Sequence, residues 1–200
     1  MNRLVVLFLL ATLPCLAFSQ KIGILPFEDA ASVGPEFGEQ VAKYIRSEFL
    51  KNKKILPKFI QYKQKESEES ATVDVDKALE LGKKNGVDYV VIGTILEAEV
   101  TKGSAGVGNV TIMGQPLGSS MRTVTATLTI QGDLISVSTG ELVESSRATG
   151  SKTDRSVGAD VSTEWGTLNV GGEGSGNTPN AQALREAVED LVKQLSKAIK

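Results

Sequence analysis

The sequence predicts a single α/β domain in which a mixed β-sheet is flanked by helices. Three observations support this fold class. The first half of the chain alternates apolar, strand-like runs with segments of helical periodicity. The second half contains a strictly alternating stretch that turns back on itself, and the last segment is amphipathic. About 180 residues follow the apolar N-terminus, which is enough for one domain with a sizeable core.

The first half of the chain has the order strand, helix, strand, helix, strand. Apolar runs predict the strands at KIGILPF (21–27), KILPKFIQY (54–62) and VDYVVIGTIL (87–96). The third run is almost continuously apolar and β-branched, which indicates a central strand buried on both faces. Pro57 has no N–H to donate, so it favours an edge position or a bulge for the second strand. Apolar residues at helical spacing predict helices over residues 36–50 and 74–85.

The second half begins with a half-exposed strand at RTVTATLTIQGDL (122–134), where apolar side chains alternate with threonines. A tight turn at Ser138-Thr139-Gly140 leads into a return strand, so that the two strands form a β-hairpin. A third helix is predicted over residues 180–199. Thr178 is placed to cap it and Pro179 to occupy its first turn.

Two glycine-rich segments interrupt this plan, at about residues 101–121 and 149–177. Structureless segments of this length are uncommon inside a compact domain, and they are usually functional or disordered. The sequence therefore predicts two insertions in the α/β domain, each a hairpin or a loop.

The N-terminus has the features of a secretion signal. Arg3 precedes an apolar run over residues 4–13, and Ala17 and Ser19 stand where a signal peptidase requires small residues. We predict a cleaved signal peptide at residues 1–19 and a mature domain at 20–200. Lipid attachment at Cys15, the only cysteine, is the alternative; Thr12 and Pro14 fit the sequence needed around such a cysteine poorly.

The composition lacks histidine, the side chain that enzymes use most often for acid–base catalysis. Histidine is also the common metal ligand. The net charge of −2 provides no attraction to nucleic acid. Glu141 and Glu144 would lie on opposite faces of a strand, so they cannot act as an acid–base pair. The sequence predicts no catalytic residue, no cofactor, no metal site and no nucleic-acid partner, and we expect no enzyme.

Three stretches carry a family resemblance: IGILPFED, ELGKKNGVDYVVIGTILE and DLISVSTGELVESSRATGSKT. In this order they resemble the CsgG family of curli production assembly/transport components. The first two are also similar to the N-terminal domain of TolB. The resemblance implies a homo-oligomeric ring in the periplasm and outer membrane of a diderm bacterium. Its partners would be secreted fibre subunits or envelope proteins, and the two insertions would occupy the family's membrane-hairpin positions.

A candidate membrane hairpin lies in the second insertion. Val157, Ala159 and Val161 alternate with polar residues such as Asp160, and the run continues to Trp165. In a hairpin, the valines and Ala159 would face lipid and Asp160 a wet lumen. The alternative is that the insertions are soluble loops. The protein would then be a periplasmic interaction module without a pore, similar to the TolB N-terminal domain or to an activator of an envelope partner.

Overall fold

The computed structural model describes residues 19–34, 36–62, 73–106, 110–112, 115–117, 120–157, 165 and 178–199. Its strands are β1 (Gln20–Ile24), β2 (Glu28–Asp29), β3 (Ile55–Phe59), β4 (Tyr89–Gly106), β5 (Val110–Ile112), β6 (Gln115–Leu117), β7 (Ser120–Ser136) and β8 (Leu142–Val157). Its helices are α1 (Phe37–Phe49), α2 (Val75–Asn85) and α3 (Pro179–Ala198). The predicted α/β fold is confirmed.

The main sheet is mixed and has the order β3-β1-β4-β7-β8, with β2 added beside β4. Strand β1 is parallel to both β3 and β4, whereas β4, β7 and β8 are antiparallel neighbours. Strand β3, which contains Pro57, lies at the edge, one of the two alternatives that the sequence left open. Strand β4 is central, and its neighbouring residues Val90 and Val91 are both fully buried. The short strands β5 and β6 pair with each other.

Each face of the sheet has its own hydrophobic core. Val91 belongs to the larger core, which includes the buried sides of α1 and α3. Val90 belongs to the smaller one, which includes Ala78 of α2. Because successive side chains of a strand point to opposite faces, α1 and α3 cover one face of the sheet and α2 covers part of the other.

The hairpin between β7 and β8 forms at the predicted turn. Gly140 has a φ of +75°, and its N–H donates to the carbonyl oxygen of Ser136 at 2.8 Å. A side chain would be strained in that left-handed conformation. The turn therefore fixes where β8 begins and aligns it with β7.

Helix α3 begins and is oriented as the sequence predicted. The hydroxyl of Thr178 accepts a hydrogen bond from the N–H of Ala181 at 3.3 Å, and Pro179 lies in the first turn. The apolar stripe formed by Leu184, Leu191 and Leu195 is fully buried. Just beyond the C-terminal end of α1, the Nζ atom of Lys51 lies 3.7 Å from the Oε1 atom of Glu189 in α3. Hydrogen bonding to Glu48 raises the pKa of Lys51.

The capping bond at Thr178 gives a first testable prediction. Replacing Thr178 with alanine should lower the free energy of unfolding by about 1 kcal/mol, because the N–H of Ala181 loses its acceptor. Thr178→Ser keeps the hydroxyl and is the matched control. Urea unfolding followed by far-UV circular dichroism measures both variants. An equal loss of stability in the two would show that the hydroxyl bond is not what stabilises the start of α3.

Candidate functional site

Strands β4, β7 and β8 extend beyond the rest of the main sheet. Strand β1 pairs with β4 only at residues 89–91, and β2 only at residues 94–95. Among the described residues, β4 from Glu97 to Gly106 pairs with β7 alone. The three strands thus form an extension, called the arm below, made of residues 97–106, 120–129 and 149–157. The arm accounts for part of each glycine-rich segment.

The arm leaves the main sheet at a β-bulge. Ile95 lies opposite Ile130 and Glu97 lies opposite Thr129, so Leu96 has no partner in β7. A bulge of this kind bends its strand and increases the local twist. The side chain of Leu96 is 36% exposed. The bulge therefore sets the direction in which the arm projects.

One face of the arm carries its buried apolar side chains and lies against α3. Ala126 and Leu128 are fully buried on this face. Gly150, opposite Leu128 in the register, lies directly beneath α3. A Cβ on Gly150 would collide with the carbonyl oxygen of Ala183 and would lie 2.6 Å from the backbone nitrogen of Ala187. The backbones of β8 and α3 therefore touch at Gly150, where only hydrogen fits as a side chain.

The opposite face of the arm carries pairs of hydroxyl groups, and we call it the hydroxyl face. Its cross-strand oxygen–oxygen distances are 2.9 Å for Thr125 and Thr153, 3.3 Å for Thr127 and Ser151, and 3.1 Å for Thr129 and Thr149. The hydroxyl of Thr129 also donates to Glu97 on β4 at 3.1 Å. The hydroxyl face consists of these six residues and Glu97. Thr129 is buried at its inner end, whereas Thr149, Ser151 and Thr153 of β8 are exposed.

The pairing geometry of β7 and β8 explains the hydroxyl contacts. In an antiparallel pair, side chains approach most closely at positions that exchange no backbone hydrogen bonds. Ser151 occupies such a position, because its N–H donates to Glu186 of α3 at 3.2 Å instead of to β7. Alternate residues of a strand direct their N–H and C=O groups the same way, so Thr149 and Thr153 also direct theirs away from β7. We call this outward side of residues 149–155 the β8 edge.

The β8 edge has the properties of a strand-pairing surface. β8 is the last strand of the main sheet, and no strand of the described part of the chain covers its outer side. Unpaired N–H and C=O groups in a row are a template for another strand. Lys152, Asp154 and Arg155 are all exposed and place two positive charges and one negative charge beside the edge. The arrangement is suited to binding another chain.

Of the five residues of the predicted membrane hairpin, the structure describes two, Val157 and Trp165. Val157 ends β8 and lies opposite Met121 of β7 in the register. Ala159, Asp160 and Val161 lie outside the described residues. Trp165 is only 6% exposed and packs on Phe37, with ring centroids 5.9 Å apart at 58°. The membrane hairpin remains a prediction.

Sequence reasoning did not find the hydroxyl face or the β8 edge. The threonine alternation in β7 predicted an exposed face, but not its partners in β8. A signal was present, because Thr149, Ser151 and Thr153 also alternate, although glycine and lysine separate them. Alternation in both strands with one connecting turn is enough to propose a face lined by hydroxyls.

Other features of the described residues offer less chemistry. A cavity of about 460 Å³ lies at the end of the sheet away from the arm, beside Asp88, Tyr89 and Ser138. A cleft of about 100 Å³ lies beside Glu28, Thr94 and Asp133. The described ranges contain no group of three or more acidic, cysteine or histidine side chains able to hold a metal ion. Within those ranges, no helix has the length and apolarity needed to cross a membrane.

The fold defines a class of mixed α/β proteins, and solved structures share it. CT253, a hypothetical protein from Chlamydia trachomatis, has a TM-score of 0.55 and 11% sequence identity, covering 90% of this chain and 97% of its own. A PelC dodecamer from Paraburkholderia phytofirmans has a TM-score of 0.51 and 14% identity, covering 91% and 93%. None of the curated protein sequences is significantly similar to the chain.

The sequence itself identifies the family within this class. Residues 63–200 match the family of the curli production assembly/transport component CsgG, and the chain belongs to that family. The resemblance found in the sequence is therefore confirmed. The family is one of assembly and transport components and is not a family of enzymes.

Proposed function

We propose that this protein is a subunit of a homo-oligomeric complex in the cell envelope of a diderm bacterium that assembles or exports secreted fibre subunits. The observation that carries the proposal is the arm, whose β8 edge is not paired with another strand of the described residues. The role is non-enzymatic. The signal peptide at residues 1–19 would deliver the protein to the periplasm, where the complex associates with the outer membrane.

The arm supports homo-oligomerisation because it leaves strand edges exposed. Proteins usually protect long edges with charges, bulges or covering elements, or eliminate them by closing the sheet. A ring of copies removes the open edges of every subunit at once. The dodecameric state given for PelC, which has the same fold, agrees with such a ring. The CsgG family assignment agrees with a role in assembly or transport.

The hydroxyl face supports a passage or docking surface for unfolded chains. Threonine and serine hydroxyls are uncharged and both donate and accept hydrogen bonds. Here they already pair with one another across the strands, so they do not need a fixed external partner. The hydroxyls let this surface contact a passing polypeptide without a large apolar area, and the charges on the same face are few: Glu97, Glu99 and Arg155.

A second candidate function is a periplasmic interaction module that forms no pore. The observation in its favour is the presence of Lys102 and Asp154 on either side of Val124, on the same face of the arm. Both charged residues are exposed. A lysine on a lipid-facing strand surface costs about 2–4 kcal/mol near the bilayer midplane, and an aspartate there also costs free energy, though less. This face is therefore suited to water or protein better than to lipid.

Substitutions in the second insertion test whether it crosses a membrane. With a membrane hairpin, Val161→Arg should place a charge in lipid at a cost of about 2–4 kcal/mol, and the protein should leave the membrane fraction. Asp160→Lys, next to it on the lumen side, is the matched control and should leave fractionation unchanged. Membrane fractionation and thermal unfolding measure both. If Val161→Arg changes neither, the hairpin is excluded and the second candidate is favoured.

A further inference from the structure

A side chain of the same protein occupies the centre of the β8 edge. The Oε2 atom of Glu186 accepts the hydrogen bond of the Ser151 N–H at 3.2 Å. Helix α3 brings Glu186 to this position because Gly150 allows the backbone at Ala183 and Ala187 to touch β8. Residues 183 and 186 are neighbours on the same side of the helix. Ser151 and Glu186 are both exposed, so the bond can open without unfolding the domain.

An added strand and Glu186 would compete for one donor. A strand that pairs with the β8 edge must place a carbonyl oxygen at the N–H of Ser151. The carboxylate of Glu186 already occupies that position, and a second acceptor beside it would be repelled. Strand addition therefore requires Glu186 to move away from β8.

The arm itself points to the strand that would be added. The outer side of β4 between Glu97 and Gly106 is also unpaired among the described residues, and it is long enough to span the β8 edge. The β4 edge carries Glu97, Glu99 and Lys102, two negative charges against one positive, whereas the β8 edge carries Lys152, Asp154 and Arg155, two positive charges against one negative. The two edges of the arm thus complement each other between copies of the chain.

We propose that Glu186 guards the β8 edge against premature pairing with a second copy of this chain. The inference rests on the proposed homo-oligomer and assigns a control point to it. While Glu186 holds the N–H of Ser151, the edge is closed to another strand. Assembly proceeds when an incoming β4 edge displaces the carboxylate.

Three variants of the full purified protein test the guard. Glu186→Ala removes the competitor and should lower the concentration for half-assembly about tenfold, the scale of one hydrogen bond to a charged group. Ser151→Pro removes the N–H that would donate to the added strand, so it should prevent assembly. The pairing of β8 with β7 does not use that N–H and should be kept. Glu189→Ala, on the same helix but beside Lys51, is the matched control and should behave as the wild type.

Analytical ultracentrifugation over a range of concentrations measures assembly, and circular dichroism checks that each variant is folded. Amide hydrogen exchange of the wild type gives a second measurement, in which the Ser151 amide should gain protection on assembly. If Ser151→Pro blocks assembly but Glu186→Ala has no effect, Glu186 does not control pairing at the β8 edge. The proposed ring is retained in that case. If the wild type assembles and the Ser151 amide gains no protection from exchange, the interface does not include the β8 edge. The proposed role of Glu186 is then also wrong. If neither the wild type nor any of the three variants assembles, the proposed ring is wrong.

Discussion

Replacing Gly150 with alanine is expected to destabilise the domain by about 3 kcal/mol, the upper part of the range for overpacking a close-packed interior. The new methyl group would collide with the carbonyl oxygen of Ala183 and the backbone nitrogen of Ala187. Backbone atoms of a helix cannot move aside as a flexible side chain does, so α3 would have to lift away from β8. Urea unfolding followed by circular dichroism gives the loss in free energy.

A second glycine of the same sheet provides the matched control. A Cβ on Gly103 of β4 would approach only Thr123, at 3.8 Å or more, which is ordinary van der Waals contact. Gly103→Ala should therefore change stability by no more than about 0.5 kcal/mol, as surface substitutions usually do. Equal effects of the two substitutions would contradict the close contact between β8 and α3, and with it the placement of Glu186.

Replacing Trp165 with alanine is expected to lower the free energy of unfolding by about 3–5 kcal/mol, the usual range for deleting a large aromatic side chain from a core. Trp165 is buried against Phe37 and belongs to the core between the sheet, α1 and α3. Thermal unfolding followed by circular dichroism is the measurement. The unaltered protein should also show the fluorescence of a buried indole, since Trp165 is its only tryptophan.

Trp165→Phe separates the packing of the ring from its polar atom. The indole Nε1 is buried without a hydrogen-bond partner among the described residues, so phenylalanine keeps much of the packing and loses no bond. We expect less than half the cost of Trp165→Ala. If both variants are as stable as the wild type, Trp165 does not stabilise the domain. That outcome would favour a role outside the core, as in the predicted membrane hairpin.

The fold was predictable wherever local sequence determines the backbone. The Ser138-Thr139-Gly140 turn and the Thr178 cap were found because single residues there satisfy a specific requirement, a positive φ or a free N–H. The three helices were found from the spacing of their apolar residues. These signals act over a few residues, so one sequence is enough to recognise them.

The arm was less predictable, because its strands form by pairing with residues that are distant in sequence. Residues 101–106 (TKGSAG) have weak strand propensity, so the sequence left a hairpin and a loop both open, and they pair with β7 in regular register. The bulge at Leu96 has no local signal either, and it changes which residues meet across β4 and β7. Trp165 was assigned to an alternating run, whereas Phe37 provides its environment from over a hundred residues away.

We propose that copies of this protein join into a ring, and native mass spectrometry of the purified protein can detect such a ring. The spectrum is recorded over a range of protein concentrations, with and without detergent. We expect a large assembly with one fixed number of subunits, because closed symmetry pairs the edges of every subunit. A monomer under all of these conditions would contradict it.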